Sequence, residues 1–350
     1  MTGLHPDLLS TLGSAEILAP TRYRVLGQVR DIPPQGRSAG MAGRPSANNS
    51  GPDTSSLLAV FGTDLYSQLY VRPSATGPGL IDPLAQRDLV HALSAANSGR
   101  GGWEPGWVVD RVMEDGRVAV AKDGLTFWTV RDEVQARPGR LRPELPCRVR
   151  VGKELRHLLP GYYMAIGDGD SRLPRARARP LIRLYWHLTP EAAVPFMSTV
   201  TKHLNGAGVP FRAKVLNTPH AYHRADAGVL YLERPWYRRS TALLTRMYRE
   251  LERDLRREVP LFTRPLAAGL GMAEDPANGM SFGQHRCHLV ALASWTSFTR
   301  GESTLEARAA TLARSITAAH LDPSRFHLGP RARDSHALQA AIAGTHSFPE

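Results

Sequence analysis

The sequence predicts an α+β protein: a mostly antiparallel sheet flanked by helices, preceded by a smaller helical and β-meander region. Three observations predict it. Strand-length runs of alternating polarity stand at Leu181–Leu188, Phe211–Leu216 and Gly228–Leu232. A hairpin signal, Met113-Glu114-Asp115-Gly116, separates Trp107–Val112 from Arg117–Ala121. Segments with helical spacing lie between the strands, so the two element types interleave.

Residues 5 to 32 read as one amphipathic helix and a short extended piece. Residues 33 to 55 are rich in Pro, Gly, Ser and Asn and read as a linker. Ordered periodicity resumes over 56 to 72, and Leu125–Val130 is the third strand of the meander. Gly161–Asp168 is a strand ending in a turn, and an Arg- and Pro-rich loop follows over 169 to 180. Thr189-Pro190-Glu191 starts a helix, with Thr as cap and Pro in the first turn. Val194, Met197, Val200, Thr201 and Leu204 follow helical spacing until Asn205-Gly206 stops it. Residues 236 to 257 predict one long Arg/Glu helix, and 289 to 293 an apolar strand after Phe282–Arg286. Residues 302 to 320 predict an Ala-rich helix. The expected division is 1–155, an N-terminal helix plus small sheet, and 156–335, a second domain carrying the chemistry.

Composition bounds the function. The 350 residues carry 44 Lys plus Arg against 32 Asp plus Glu, a net charge of +12, which points to an anionic partner. Only Lys122, Lys153, Lys202 and Lys214 are lysines, so the basic side chains are nearly all arginine. Cys147 and Cys287 have no metal-ligand spacing and form no disulfide framework. The N-terminus lacks a signal-peptide pattern, and no apolar run of about 18 residues exists. A cytoplasmic protein without metal or organic cofactor is expected.

The chemistry concentrates between Leu181 and Glu233. Successive strand side chains alternate in direction. Arg183, Tyr185 and His187 therefore share one face, and Leu184, Trp186 and Leu188 the other. By the same spacing Arg212 and Lys214 oppose Phe211, Ala213 and Val215. Tyr222-His223-Arg224-Ala225-Asp226 then leads into the third strand. Cations, histidines and tyrosines on one sheet suit anion binding and proton transfer.

Three stretches carry a family resemblance: Arg183 to Glu191 (RLYWHLTPE), Pro210 to Tyr231 (PFRAKVLNTPHAYHRADAGVLY) and Ser281 to Cys287 (SFGQHRC). With them, the segment from Tyr162 to about Phe326 resembles the HopA-type effector family. That family also occurs in gene clusters for modified peptides, including class V lanthipeptides and thioamitides. The motif order is also similar to that of phosphothreonine lyases. The resemblance implies a lyase that eliminates phosphate from phosphoserine or phosphothreonine in a ribosomal precursor peptide, leaving dehydroalanine or dehydrobutyrine. It implies two partners, a phosphotransferase-like kinase subunit and the precursor peptide, and no membrane.

Elimination needs a base, an acid and cations for the phosphate. Lys214, with its pKa depressed by burial and neighbouring cations, is the candidate base, and His223 the next. Tyr185 and His187 compete as general acid. Arg183, Arg212, Arg224 and Arg286 are the candidate phosphate ligands. Asn217, Tyr222, Asp226 and Gln284 are candidate substrate contacts. Bland readings stand beside these. Lys214 can guard a sheet edge, Arg183 and Arg224 can form structural salt bridges, and His223 and His285 can be hydrogen-bonding histidines. Arg172, Arg175, Arg177 and Arg179 either bind acidic peptide or solvate a loop. A noncatalytic peptide-binding or kinase-activating subunit is the alternative function. Nucleic-acid binding is weaker, since no recognition signature for it is present.

Overall fold

Strand alternation builds the sheet that carries the chemistry, in a computed structural model describing residues 3–32, 54–74, 82–122, 125–136, 141–156, 160–169, 180–330, 332 and 336–344. Most of the segment expected as a linker, together with Arg172, Arg175, Arg177 and Arg179, lies outside the described residues.

Three antiparallel sheets stand among the described residues. The first is β1 (Ala15–Ala19), β2 (Arg22–Val25) and β3 (Gln28–Asp31), in that order. The second contains β4 (Gly102–Val112), β5 (Arg117–Lys122), β6 (Leu125–Val130), β7 (Val134–Ala136) and β8 (Pro146–Val151), ordered β6-β5-β4-β8-β7. The third is seven-stranded: β9 (Glu154–Leu155), β10 (Tyr162–Ile166), β11 (Leu181–Trp186), β12 (Arg212–Leu216), β13 (Gly228–Glu233), β14 (Arg264–Ala267) and β15 (Leu270–Glu274). Its order is β14-β15-β11-β13-β12-β10-β9.

The helices are α1 (Pro6–Ser14), α2 (Thr54–Asp64), α3 (Pro83–Ala96), α4 (Ala193–Gly206), α5 (Arg234–Arg239), α6 (Thr241–Leu251), α7 (Phe282–Thr299), α8 (Leu305–Ala318) and α9 (Ala337–Gly344). A π-helical turn, Leu65–Tyr70, extends α2. The mixed architecture is the α+β class the sequence predicts.

One face of the large sheet is apolar along its central strands β11, β13 and β12. Leu184, Trp186, Ala213, Val215, Leu230 and Leu232 pack there against Phe196, Met197 and Val200 of α4 and Met247 of α6. This is the alternation read from sequence. Burying one such side chain contributes about 1.5–3 kcal/mol, so the face that is left to the cations is fixed by the face that is not. A one-residue slip would bring Lys214 and Arg183 into this core.

The opposite face is covered over β11, β13 and β15. Tyr185, Val229 and Ala273 pack there with Phe282 and Val290 of α7, Leu312 of α8 and Phe326. Leu8 of α1, Tyr23 of β2, Phe61 of α2 and Tyr70 belong to the same core. A boundary at residue 155 therefore does not separate the cores. Among the described residues of this N-terminal part, the five-stranded sheet has a core of its own, around Trp107, Val109, Val120 and Val149.

Local signals explain the other departures. The apolar run Leu289–Ala293 lies inside helix α7, not in a strand. Ser281 and Gln284 form a reciprocal capping box at its start, the S-x-x-Q pattern of a helix N-terminus. The expected single helix over 236–257 is split at Ser240 into α5 and α6. Thr189 Oγ1 accepts from the Ala192 amide at 3.2 Å and caps the turn that precedes α4. The extended piece before residue 32 is a three-stranded sheet, and β14, β15 and α9 add to what the sequence pattern marked. No helix among the described residues is long and apolar enough to cross a membrane.

Candidate active site

The site is built on β12. Lys214 and Arg212 leave the strand opposite Ala213 and Val215. Lys214 sits across from Val229 on one side and Met164 on the other. Its Nζ lies 4.1 Å from the centroid of the Tyr162 ring on β10. Burial lowers the Lys214 pKa. Tyr162 and Asp226 act against that, and the Arg183 and Arg224 cations add to it. The side chain is half-buried, so the amine keeps contact with the outside.

The loop before β13 supplies the next group. Arg224 donates from Nε and Nη2 to Asp226, at 2.5 and 2.8 Å. Asp226 is buried. Burial works to raise its pKa, but Arg224, Lys214 and the Tyr66 hydroxyl outweigh it and hold it below the ordinary carboxylate value. Tyr66 donates to Asp226 Oδ2 at 3.0 Å and accepts from Arg224 Nη2 at 2.8 Å.

Strand β11 supplies the third group. Arg183 bonds Asp275, just beyond β15, through Nε at 2.7 Å and through Nη2. Its guanidinium lies 5.2 Å from the centroid of Tyr231. Burial works to lower the Arg183 pKa, and Tyr185, Tyr231 and Asp275 reverse this. Burial pushes the Tyr185 and Tyr231 hydroxyls up to about 12, against the Arg183 charge. Both are therefore protonated at neutral pH, as a general acid must be. Arg212 pairs with Tyr231 across the ladder, and burial lowers its pKa against the field of Glu104 from β4.

Lys214, Arg183, Arg212 and Tyr185 thus lie on the sheet face opposite the apolar core, and the loop before β13 brings Arg224 and Asp226 to them. Four cations meet three carboxylates there, Asp226, Asp275 and Glu104. Such a cluster can bind an anion, and its buried tyrosines and depressed lysine can exchange protons.

Other candidates lie elsewhere. Arg286 is fully buried in α7, and its guanidinium is spent on backbone and neighbour. It donates to Phe326 O at 2.8 Å, Leu328 O at 2.7 Å and His285 Nδ1 at 2.6 Å, between the rings of Phe282 and Phe326. It is a staple for the 326–328 segment, not a phosphate ligand. Gln284 is exposed and caps α7 rather than meeting substrate. Tyr222 is buried in the apolar core and donates to Leu216 O at 2.6 Å, which shapes the loop. His187 lies past the end of β11, with Nδ1 2.9 Å from Glu258 O and burial lowering its pKa. His223 Nδ1 is held by His220 O at 3.0 Å. The largest influences on Lys214 are burial, Tyr162, Asp226, Arg183 and Arg224. Asn217 is buried, its amide bonded to Gly161 O and its Oδ1 without a partner among the described residues.

Sequence reasoning missed Tyr66, Asp275, Tyr162, Tyr231 and Glu104. Tyr162 and Tyr231 were within reach, since the strand period places both with Lys214. Tyr66 and Glu104 carried no local signal, because their proximity comes from long-range packing. No group of three or more metal-ligating side chains occurs among the described residues.

Residues 155–328 match the HopA1 effector protein family. Two solved structures are similar. One is the effector protein from Pseudomonas syringae pv. tomato strain DC3000, 16% identical, with a TM-score of 0.45 over 77% of this chain and 90% of that one. The other is the effector protein from Pseudomonas syringae pv. syringae strain 61, 13% identical, with a TM-score of 0.45 over 77% and 89%. No functionally curated protein matches the chain.

Proposed function

With residues 155–328 forming a HopA1 effector family domain, we propose that this protein is a phosphothreonine/phosphoserine lyase acting on a kinase-phosphorylated ribosomal precursor peptide. One observation carries the reading: a half-buried lysine of lowered pKa stands among Arg183, Arg224 and protonated tyrosines on one sheet face. In the proposed step the Lys214 amine takes the Cα proton. The C–H electron pair forms the Cα=Cβ bond. The Cβ–O electrons leave with phosphate, whose bridging oxygen takes a proton from a tyrosine, Tyr185 on this reading. The Lys214 ammonium then returns its proton to the tyrosinate, so the products are the dehydro residue and hydrogen phosphate. Arg183 and Arg224 each keep one terminal nitrogen without a hydrogen bond among the described residues, and these would meet the phosphate oxygens.

The kinase and the precursor peptide remain the proposed partners. Elimination requires a phosphorylated substrate. The small sheet offers an exposed edge, where Trp128 and Val130 of β6 are about half exposed and Arg117 lies 5.7 Å from the Trp128 centroid. A second reading, a noncatalytic peptide-binding or kinase-activating subunit, is favoured by the salt bridges that already engage Arg183 and Arg224. One assay separates the two. A precursor peptide bearing phosphothreonine should lose the mass of one phosphoric acid and release inorganic phosphate. Binding without release, with the kinase present as well as absent, would favour the second reading.

A further inference from the structure

We infer that Tyr66, which lies outside residues 155–328, is a positioning residue of this site: its hydroxyl fixes the Arg224 guanidinium against Asp226 so that Arg224 can receive a phosphomonoester beside Lys214. The inference rests on the reading of this face as a phosphate site and adds an element the family segment does not contain.

The geometry has three parts. First, the hydroxyl bridges both members of the ion pair, donating to Asp226 at 3.0 Å and accepting from Arg224 at 2.8 Å. The Arg224 guanidinium also lies 5.5 Å from the centroid of the Tyr66 ring. Backbone bonds from Ala225 N to Val71 O and from Ser74 N to His223 O hold the loop main chain, at 2.7 Å each, but they do not fix the Arg224 side chain. The bridge ties it to a separate element.

Second, that element holds its ring rigidly. Tyr66 stands on the π-helical turn and stacks on Tyr70, with centroids 5.1 Å apart and planes 19° from parallel. Tyr70 is buried against Phe262 and Phe282. Gly283 at the start of α7 lies directly on this pair. A Cβ there would collide with the Tyr70 ring and stand 2.7 Å from Tyr66 Cε2. π-Helical turns are rare and gather at functional sites; this one supplies a side chain to a sheet more than a hundred residues away in sequence.

Third, the charges suit the role. Burial and Asp226 push the Tyr66 phenol well above its ordinary value, so the hydroxyl keeps its proton and remains a donor. Tyr162, whose ring holds Lys214, is among the groups acting on Tyr66, so the two sit in one cluster. Holding Arg224 beside Asp226 preorganises a cation that would otherwise be ordered on each binding event.

Tyr66→Phe keeps the ring, its stack and its contact with Arg224, and removes only the hydroxyl. The full-length protein is titrated with inorganic phosphate, and KM and kcat are measured with a phosphothreonine peptide. The phosphate Kd and the KM should each rise roughly tenfold, as for loss of one hydrogen bond to a charged group. KM should rise more than kcat falls. An unchanged Kd in a folded variant overturns the inference, because a merely structural tyrosine would lower the melting temperature and leave phosphate affinity intact. Should the variant not fold, hydrogen exchange on the wild type decides: saturating phosphate should slow the amides of 65–70, and no slowing overturns it. A wild type that binds phosphate but releases none from the peptide sinks the lyase reading alone. A wild type that binds no phosphate overturns the Tyr66 inference too.

Discussion

The Lys214 ammonium faces the ring of Tyr162 at 4.1 Å, and among the described residues no carboxylate lies within ion-pair distance of it. A ring face stabilises the charged form far less than a carboxylate contact does in a half-buried setting. Burial therefore prevails, and the lysine pKa falls. This arrangement distinguishes a lysine that can give up its proton from one that only pairs.

Lys214→Ala should reduce the elimination rate by about 10²- to 10⁴-fold, the usual cost of losing a general base. Phosphate affinity should change much less, because Arg183 and Arg224 remain. The check is single-turnover release of phosphate beside a binding titration. A folded Lys214→Ala protein that eliminates at the wild-type rate would place the base elsewhere.

The pH profile has a defined sign. The base form of Lys214 is the neutral amine, so kcat should rise with pH through a pKa below the ordinary lysine value and level off above it. Burial lowers that pKa most, and the Arg183 cation also lowers it. Arg183→Gln should move the rising limb to higher pH, besides weakening binding. Movement to lower pH would mean that the limb belongs to another group.

Arg286→Met tests the corrected role of that arginine. The guanidinium holds the carbonyls of Phe326 and Leu328 inside a buried core. Its loss leaves two buried acceptors unsatisfied, at roughly 1–3 kcal/mol each. Thermal melting should show a large destabilisation. The phosphate Kd of the protein that stays folded should be unchanged. A selective rise in Kd with normal stability would restore Arg286 as a ligand.

The residues that could be placed from sequence share a property: their position follows from strand period. Arg183, Tyr185, Arg212 and Lys214 were assigned a face because Leu184, Trp186, Ala213 and Val215 needed the other. Arg286 and Gln284 escape that rule because the apolar run inside α7 has the length of a strand, and the Ser281–Gln284 capping box is the local mark of the helix. Tyr66 and Asp275 were not legible at all. Nothing near them in sequence says that the π-helical turn reaches Arg224, or that the residue after β15 meets Arg183.

Truncation tests the shared core. A protein beginning at Leu155 keeps the whole family segment but loses α1, β2, α2 and the π-helical turn. Leu8, Leu12, Tyr23, Phe61, Leu65 and Tyr70 would leave the core that covers Tyr185, Val229 and Phe282. At about 1.5–3 kcal/mol per large buried side chain, these six losses come to roughly 9–18 kcal/mol, as large as the 5–15 kcal/mol that holds an ordinary domain folded. The fragment should be aggregated or molten, without a cooperative melting transition, and should bind no phosphate. A fragment that melts cooperatively and binds phosphate like the full chain would mean that residues 3–74 are dispensable, and Tyr66 with them.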